Sequence, residues 1–204
     1  KVEKVRYWGW TDEYPSWCWN SFLNQKMTVH VYSRADSVRL YLNNRLVGEK
    51  QVGGQKKYTS TFEVEYIPGT LKAVNVVKGR ETESYVLTTP GEAYSLRLVP
   101  DRTRLSADCN DLAYVHILLV DRKGNVISDS QAKIKINVSG AGTLAGSGNA
   151  SPTDMESFRS DTPRLYRGRA LAILRPVGKP GEVRLVVTLS GIRQAVLKIE
   201  VNKK

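Results

Sequence analysis

The feature that most constrains this chain is an alternation of apolar and polar side chains between positions 29 and 49. Val29 and Val31 alternate with other residue types, and Val38, Leu40 and Leu42 repeat the pattern. Because successive side chains of a β-strand point to opposite faces, each run offers one apolar face to a core. The sequence therefore predicts two strands followed by a third: 29–33, 38–42 and 45–49.

The second and third of these strands are joined by Asn43 and Asn44. A two-residue hairpin of type I′ needs a positive φ at both central positions, and asparagine tolerates that conformation better than most residues. The pair therefore predicts a tight hairpin turn.

The same periodicity continues through the rest of the chain. In the first half it returns at Phe62, Val64 and Tyr66 and in the runs 71–77 and 84–87; in the second half it returns at 94–98, 134–138, 183–189 and 195–201. Residues Tyr114–Val120 form the most continuously apolar run, which predicts a strand buried on both faces. The predicted fold class is all-β, with two tandem Ig-like or fibronectin-like antiparallel β-sandwich domains.

The domain limits follow from where the alternation stops. Pro90 and Gly91 interrupt it for a few residues. A chain of 204 residues exceeds one Ig-sized sandwich and fits two domains of about 100 residues. We predict a leading linker segment over 1–22, a first sandwich over 23–89 and a second over 90–204.

The charge balance does not point to nucleic acid. The formal net charge is +11, but the excess is spread over both halves, with no basic run interleaved with aromatic residues. No run approaches the roughly 18 apolar residues that a membrane-spanning helix needs. We therefore predict neither a nucleic-acid partner nor a membrane span, and the sequence indicates no cofactor.

Four tryptophans, Trp8, Trp10, Trp17 and Trp19, lie in the leading segment as two pairs at a spacing of two. In an extended segment each pair would present both indoles on one side. Two interpretations stay open: a saccharide-binding platform, because indoles stack on sugar rings, and a surface that docks against a neighbouring domain.

Periodicity fails for about thirty residues between Gly140 and Arg169, which is long for a passive connection. Because guanidinium groups suit carboxylates and aromatic rings, this loop is a candidate interface with an acidic sugar, a partner subunit or another domain. A self-packed surface loop is the alternative. The candidate interface residues are Phe158, Arg159, Arg164, Tyr166, Arg167 and Arg169.

Catalytic and metal-binding patterns are weak. The two histidines, His30 and His116, both fall on predicted strands, and no ligand spacing predicts a zinc site. Glu63 and Glu65 read as charges on the solvent face of a strand. Asp154 and Glu156 are a weak calcium signal in the irregular loop. The cysteines, Cys18 and Cys109, are predicted to be free and mostly buried.

Several motifs resemble the regions that follow the catalytic barrel in glycoside hydrolase family 2, the β-galactosidase type. They are SWCWN (16–20), SRADSVRLYLNNRLVGEK (33–50) and YIPGTLKAV (66–74). In the second half, residues 101–127 and 146–175 resemble the Ig-like domain that closes these proteins. Asn44 and Cys109 depart from the family pattern, which commonly has glycine at both positions.

The resemblance implies a fragment without catalytic residues of its own, because the family's two catalytic glutamates lie in the barrel. It further implies that the parent's catalytic domain is a partner, and leaves open a homo-oligomer and a saccharide. The parent would be bacterial and periplasmic or extracellular, although the fragment does not fix the location. The alternative functions are a carbohydrate-binding module that uses the tryptophans and an adhesin-type Ig repeat.

Overall fold

The computed structural model describes residues 13–203, and over this range the chain is built from β-strands, which confirms the all-β prediction. The helical elements among these residues are two short 3₁₀ turns, Asn20–Phe22 and Gly54–Lys56. None of the described helices is long or apolar enough to cross a bilayer. The chain separates into two compact units at Thr89 and Pro90.

Between residues 13 and 89 the first unit has six strands, arranged as two antiparallel sheets. Strands β1 and β4 form one sheet, and the other has the order β3–β2–β5–β6. The strands are β1 (Lys26–Tyr32), β2 (Ser37–Leu42), β3 (Arg45–Gln51), β4 (Thr59–Glu65), β5 (Thr70–Val77) and β6 (Arg80–Thr88). The predicted Asn43–Asn44 hairpin is confirmed, with φ values of 50° and 65°.

The core of the first unit lies between its two sheets. Leu40 of β2 and Leu71 of β5 pack in one cluster with Phe62 and Val64 of β4. Glu63, between the two β4 core residues, is exposed as predicted. Period-two hydrophobicity therefore produces two sheets that share one core.

A close backbone approach stabilises the end of the β2–β3 hairpin. The Asn43 side chain accepts a hydrogen bond from Thr70 N–H (2.8 Å) and donates one to the Pro68 carbonyl (3.2 Å). Gly69 has a φ of +142°, and a Cβ added there would lie 1.8 Å from Asn43 Oδ1. The turn that precedes β5 therefore requires glycine at position 69.

Thr89, at the end of the first unit, forms hydrogen bonds, one of which connects it to the leading segment. The Thr89 hydroxyl donates a hydrogen bond to the Trp17 carbonyl and accepts one from Gly69 N–H (3.1 Å). One side chain thus links the leading segment, the β4–β5 turn and the residue that follows β6.

The described part of the second unit, residues 90–203, has eight strands, in the order β10–β13–β14–β7–β9–β12–β11, with β8 pairing β14. Its two halves meet where β14 pairs in parallel with β7 through Arg193 and Ser95. The strands are β7 (Ser95–Pro100), β8 (Arg104–Ser106), β9 (Ala113–Val120), β10 (Lys135–Gly140), β11 (Gly142–Gly148), β12 (Arg169–Pro176), β13 (Gly181–Leu189) and β14 (Ile192–Asn202).

Two sequence predictions for the second unit are wrong. Strand β9 is not buried on both faces: Val115 and Ile117 are buried, but Tyr114 and His116 are exposed. Residues 140–169 are not irregular throughout, because residues 142–148 form β11 and pair with β12. This strand consists mostly of glycine, alanine and serine, which give no hydrophobic period.

Neither cysteine forms a disulfide within the described residues, and the prediction that both are mostly buried holds for one of them. Cys18 is buried beside Trp17, whereas Cys109 is exposed in the second unit. A single sequence does not distinguish these positions, because both follow polar or aromatic residues outside a regular strand.

Candidate functional site

The leading segment places Trp17 in the core of the first unit. Its side chain is 2% exposed, and its ring meets that of Tyr66 edge-on at a centroid distance of 5.1 Å. The indole N–H donates a hydrogen bond to the Ile67 carbonyl (3.0 Å). A sugar in solvent therefore has no access to the Trp17 ring face in this structure.

Trp19 lies at the margin of the same cluster and is half-buried. Its indole N–H donates to the Ser16 carbonyl, and its backbone N–H donates to the Tyr66 hydroxyl, both at 3.0 Å. Trp8 and Trp10 lie outside the described residues. The saccharide or docking role of the tryptophans thus remains a prediction. The buried Trp17 anchors the segment and does not offer its own ring as a contact surface.

Residues 149–163, here called the tip loop, are held by side-chain hydrogen bonds around Asn149. The Asn149 amide nitrogen donates to the Asp154 carboxylate and to the Arg164 carbonyl (3.0 Å), and its amide oxygen accepts from Ser151 N–H (2.8 Å). Asp154 also accepts a hydrogen bond from Glu156 N–H (2.9 Å). The loop therefore has a defined conformation although it contains no strand.

The candidate arginines do not form one cluster. Arg164 pairs with Glu156 (Nε to Oε1, 3.4 Å), and the Arg167 guanidinium lies 5.3 Å from the centre of the Tyr166 ring. Arg159 is exposed on the tip loop, and Arg169 is the first residue of β12. The structure thus distributes these charges along the loop and into the strand that follows.

Two apolar side chains project from the tip loop. Met155 is 95% exposed and Phe158 is 73% exposed. Sequence reasoning selected Phe158 but missed Met155, because methionine carries no charge and no aromatic ring. The signal that identifies both is an apolar residue isolated within a polar, non-periodic run.

The tip loop also encloses a small cavity. It has a volume of about 30 Å³, and Asp154 and Glu156 are among its lining residues. Glu156 Oε2 is buried and has no hydrogen-bond partner among the described residues. Within residues 13–203, no three histidine, cysteine or carboxylate side chains converge as metal ligands would. A cavity with the volume of about one water molecule cannot admit a sugar ring.

A second pair of carboxylates lies on the sheet of the first unit. Arg39 donates hydrogen bonds to Glu49 (2.8 Å) and Glu81 (3.1 Å). The pKa of Glu49 is lowered by the Ser37 hydroxyl and Arg39, and the pKa of Glu81 is lowered by the Tyr41 hydroxyl and Arg39. The general acid of a glycosidase needs a raised pKa, so this pair has the wrong electrostatics for that chemistry.

Asp121 is the buried carboxylate that organises the β9–β10 connection. Burial by itself raises the pKa of Asp121, but hydrogen bonds from Asn125, Gly91 and Lys123 outweigh burial and bring that pKa down to about 2. The sequence predicts residues 121–125 as a turn and does not reveal that Asp121 also binds Gly91.

Each half of the chain matches a known domain family. Residues 96–198 match the family model for glycoside hydrolase family 2 C-terminal domain 5. Residues 24–83 match a domain family of unknown function, DUF4982. The first match covers about half of the chain and lies within the second unit.

Two relatives extend the match over nearly the whole chain. The β-galactosidase BoGH2A of Bacteroides ovatus is 33% identical over 195 residues, which are 93% of this chain and 23% of that protein. A β-glucuronidase of Formosa agariphila is 27% identical over 186 residues, 89% of this chain and 19% of that protein. The chain thus spans less than a quarter of the length of either relative.

The fold matches that of solved proteins. A glycosyl hydrolase family 2 member from Bacteroides cellulosilyticus superposes with a TM-score of 0.91 at 33% identity, over 95% of this chain and 25% of that one. The family model, the relatives and this structure agree with the motifs at 16–20, 33–50 and 66–74. This chain therefore belongs to glycoside hydrolase family 2, as a C-terminal part of a protein of that family.

Proposed function

We propose that this chain is a non-catalytic accessory region of a family 2 β-glycosidase and that it supports the catalytic domain of its parent. The observation that carries the proposal is the extent of the match, 93% of this chain but 23% of the β-galactosidase BoGH2A. The two carboxylate pairs described above support it: one borders a cavity too small for a sugar, and in the other both pKa values are lowered.

The first test is catalytic. The purified chain is expected to leave 4-nitrophenyl β-galactoside and 4-nitrophenyl β-glucuronide intact, with a rate equal to that of buffer. Turnover that persists through purification and disappears in Glu156→Gln or Glu81→Gln would contradict the proposal.

The second part of the proposal assigns the tip loop to the contact with the parent's catalytic domain. Met155 and Phe158 present apolar surface on a loop that is already ordered by Asn149. Ordering the loop before binding lowers the entropy lost on association. Apolar side chains with arginines around them are typical of protein contact surfaces.

The test is a double variant, Met155→Ser with Phe158→Ser, in the full-length parent. We expect the catalytic domain to unfold at a lower temperature, because it loses the apolar contact, while the free chain keeps its own stability. Val196→Ser, at an exposed position on β14, is the matched control and should change neither. A double variant that alters the oligomer size and leaves the catalytic domain as stable as before would assign the loop to a subunit contact instead.

A further inference from the structure

A depression on the first unit plays no part in the accessory role proposed above. It has a volume of about 500 Å³ and opens where β1 ends and β4 begins. Small-molecule sites commonly have volumes of about 300 to 1,000 Å³. The residues that line it are Tyr32, Ser33, Arg34, Tyr58 and Asn75.

Two exposed tyrosine rings border the depression. Tyr32 is 62% exposed, and its hydroxyl donates a hydrogen bond to Glu13 (2.6 Å), which fixes the ring at its far end. Tyr58 is 50% exposed and follows the 3₁₀ turn Gly54–Lys56. Both rings therefore present surface on which the C–H face of a sugar can stack, as aromatic side chains with one apolar face do.

The backbone at Tyr58 is strained. Lys57 and Tyr58 have φ values of +52° and +57°, a region that bulky L-residues rarely adopt. Hydrogen bonds from Tyr58 N–H to the Gly53 carbonyl (2.9 Å) and from Ser33 N–H to the Tyr58 carbonyl (3.0 Å) hold this conformation. Strained residues that their surroundings hold in place are concentrated at ligand sites, and here the strain sets the position of the Tyr58 ring.

The polar groups of the depression are oriented by their neighbours. The Ser33 hydroxyl donates to the Asn75 amide oxygen (2.7 Å) and accepts from Ala35 N–H (3.0 Å). This fixes the Asn75 amide with its oxygen occupied, so its nitrogen keeps two N–H donors for a ligand hydroxyl.

Arg34 determines the charge of the ligand. No carboxylate of residues 13–203 forms an ion pair with Arg34, and Lys57 adds a second positive charge beside Tyr58. The nearby Asp36 carboxylate accepts a hydrogen bond from Lys78 N–H (2.7 Å). A guanidinium that has no ion pair with residues 13–203 suits a ligand carboxylate, which it can bind through two parallel N–H donors.

From these observations we infer that the depression binds a carboxylate-bearing saccharide, such as a glycan that contains a uronic acid. The tyrosine rings contact the sugar face, Asn75 binds a hydroxyl and Arg34 binds the carboxylate. The lining residues include neither Trp17 nor any residue of the tip loop, so the inference is independent of the docking role.

The test uses the whole chain and methyl β-D-glucuronide, with methyl β-D-glucoside as the neutral match and acetate as a carboxylate without a sugar. Titrations are followed by amide and side-chain NMR shifts at Arg34, Tyr58 and Asn75. We expect saturable millimolar binding of the glucuronide, at least about tenfold tighter than of the glucoside or of acetate.

Two variants separate the two recognition elements. Arg34→Gln should lower the ratio of glucuronide affinity to glucoside affinity to about one and leave glucoside binding unchanged. Tyr58→Asn should weaken both sugars about fivefold or more, and asparagine tolerates the positive φ, so the turn stays folded. Arg45→Gln and Tyr85→Ala, at exposed positions on β3 and β6 outside the depression, are the matched controls.

Three outcomes would overturn the inference. They are the absence of any saturable shift up to about 50 mM sugar, equal binding of acetate and glucuronide, and a control variant that weakens binding as much as Tyr58→Asn. Each of these leaves the match to glycoside hydrolase family 2 intact, so failure of this inference is distinguishable from failure of the accessory role.

Discussion

The leading segment at Trp17 and the tip loop at 149–163 start from similar sequence signals and end in opposite environments. Residues 13–22 and the tip loop contain no strand, both segments carry aromatic residues, and both are predicted contact surfaces. Trp17 is enclosed against Tyr66 in the core of the first unit, whereas Phe158 and Met155 project into solvent from the second unit.

The difference lies in what holds each segment. The leading segment is fixed by long-range contacts: the Trp17 indole donates to Ile67 and the Trp17 carbonyl accepts from Thr89. The tip loop is fixed by hydrogen bonds from Asn149 and by backbone N–H groups of Ser147 and Ile136, which donate to the carbonyls of residues 158 and 161. A loop that is ordered by hydrogen bonds rather than by apolar packing is free to leave apolar residues exposed.

The change with the largest expected effect is Trp17→Ala. It removes a ring that is almost fully buried, and large-to-small substitutions of this kind cost about 3 to 5 kcal/mol. We expect the first unit to lose most of its stability in chemical denaturation followed by amide hydrogen exchange. Tyr85→Ala, an exposed aromatic of the same unit, should cost less than about 0.5 kcal/mol. If the two variants lowered the stability equally, Trp17 would be packed no more tightly than an exposed residue, and the leading segment would not differ from the tip loop.

An intermediate effect is expected for Asp121→Asn, which tests a turn held by one buried carboxylate. The pKa of Asp121 is lowered in the folded state to about 2, so its contribution is present above the unfolded pKa of about 3.9 and is lost as pH falls through 2. At neutral pH the variant should be on the order of 2 kcal/mol less stable, with a flatter dependence between about pH 5 and 2. Thermal melts from neutral pH down to about pH 2 measure the loss of stability and its pH dependence. Glu92→Gln, at an exposed position, is the control.

A smaller effect is expected for Ser147→Ala, which removes a side-chain hydrogen bond between β11 and the tip loop and leaves the backbone bond from Ser147 N–H to the Phe158 carbonyl in place. The buried Ser147 hydroxyl donates to the Ser160 carbonyl. Its loss should cost about 1 kcal/mol and increase amide exchange between residues 157 and 162. Unchanged exchange there would show that the backbone bonds from Ser147 and Ile136 order this part of the loop without the Ser147 hydroxyl.

The smallest effect on stability is expected for Met155→Ser combined with Phe158→Ser. Both side chains are mostly exposed, so the isolated chain should change by less than about 0.5 kcal/mol in chemical denaturation. A loss above about 2 kcal/mol would mean that the tip loop is packed as the leading segment is, and would end the distinction between them.

The sequence predicted the fold well where hydrophobic alternation is strong. Strands β2, β5, β13 and β14 and the Asn43–Asn44 turn all lie where the pattern or the turn chemistry indicates. Strand β11 was missed because its small residues carry no periodic signal, although they pair with β12 over their whole length. The two-sided burial predicted for β9 failed because tyrosine and histidine are apolar enough to continue a run while still facing solvent.

The candidate sites were less predictable because they depend on tertiary partners. The spacing of Trp17 and Trp19 shows that they share a segment, but the position of Tyr66 decides which of them is enclosed. The depression lined by Tyr32 and Tyr58 could not be predicted from the sequence. Its residues come from positions 32–34, 58 and 75. The pairing of β1 with β4 brings the first two groups together, and packing of the other sheet places Asn75 of β5 against Ser33.

The hydrogen bond between Thr89 and Trp17 has a consequence for how this region can be rearranged. Because this bond joins Trp17 to Thr89, the chain enters and leaves the segment 17–89 at neighbouring points. We expect a short glycine-serine linker from residue 16 to residue 90 to be able to replace this segment, or to allow its exchange for another module of similar size.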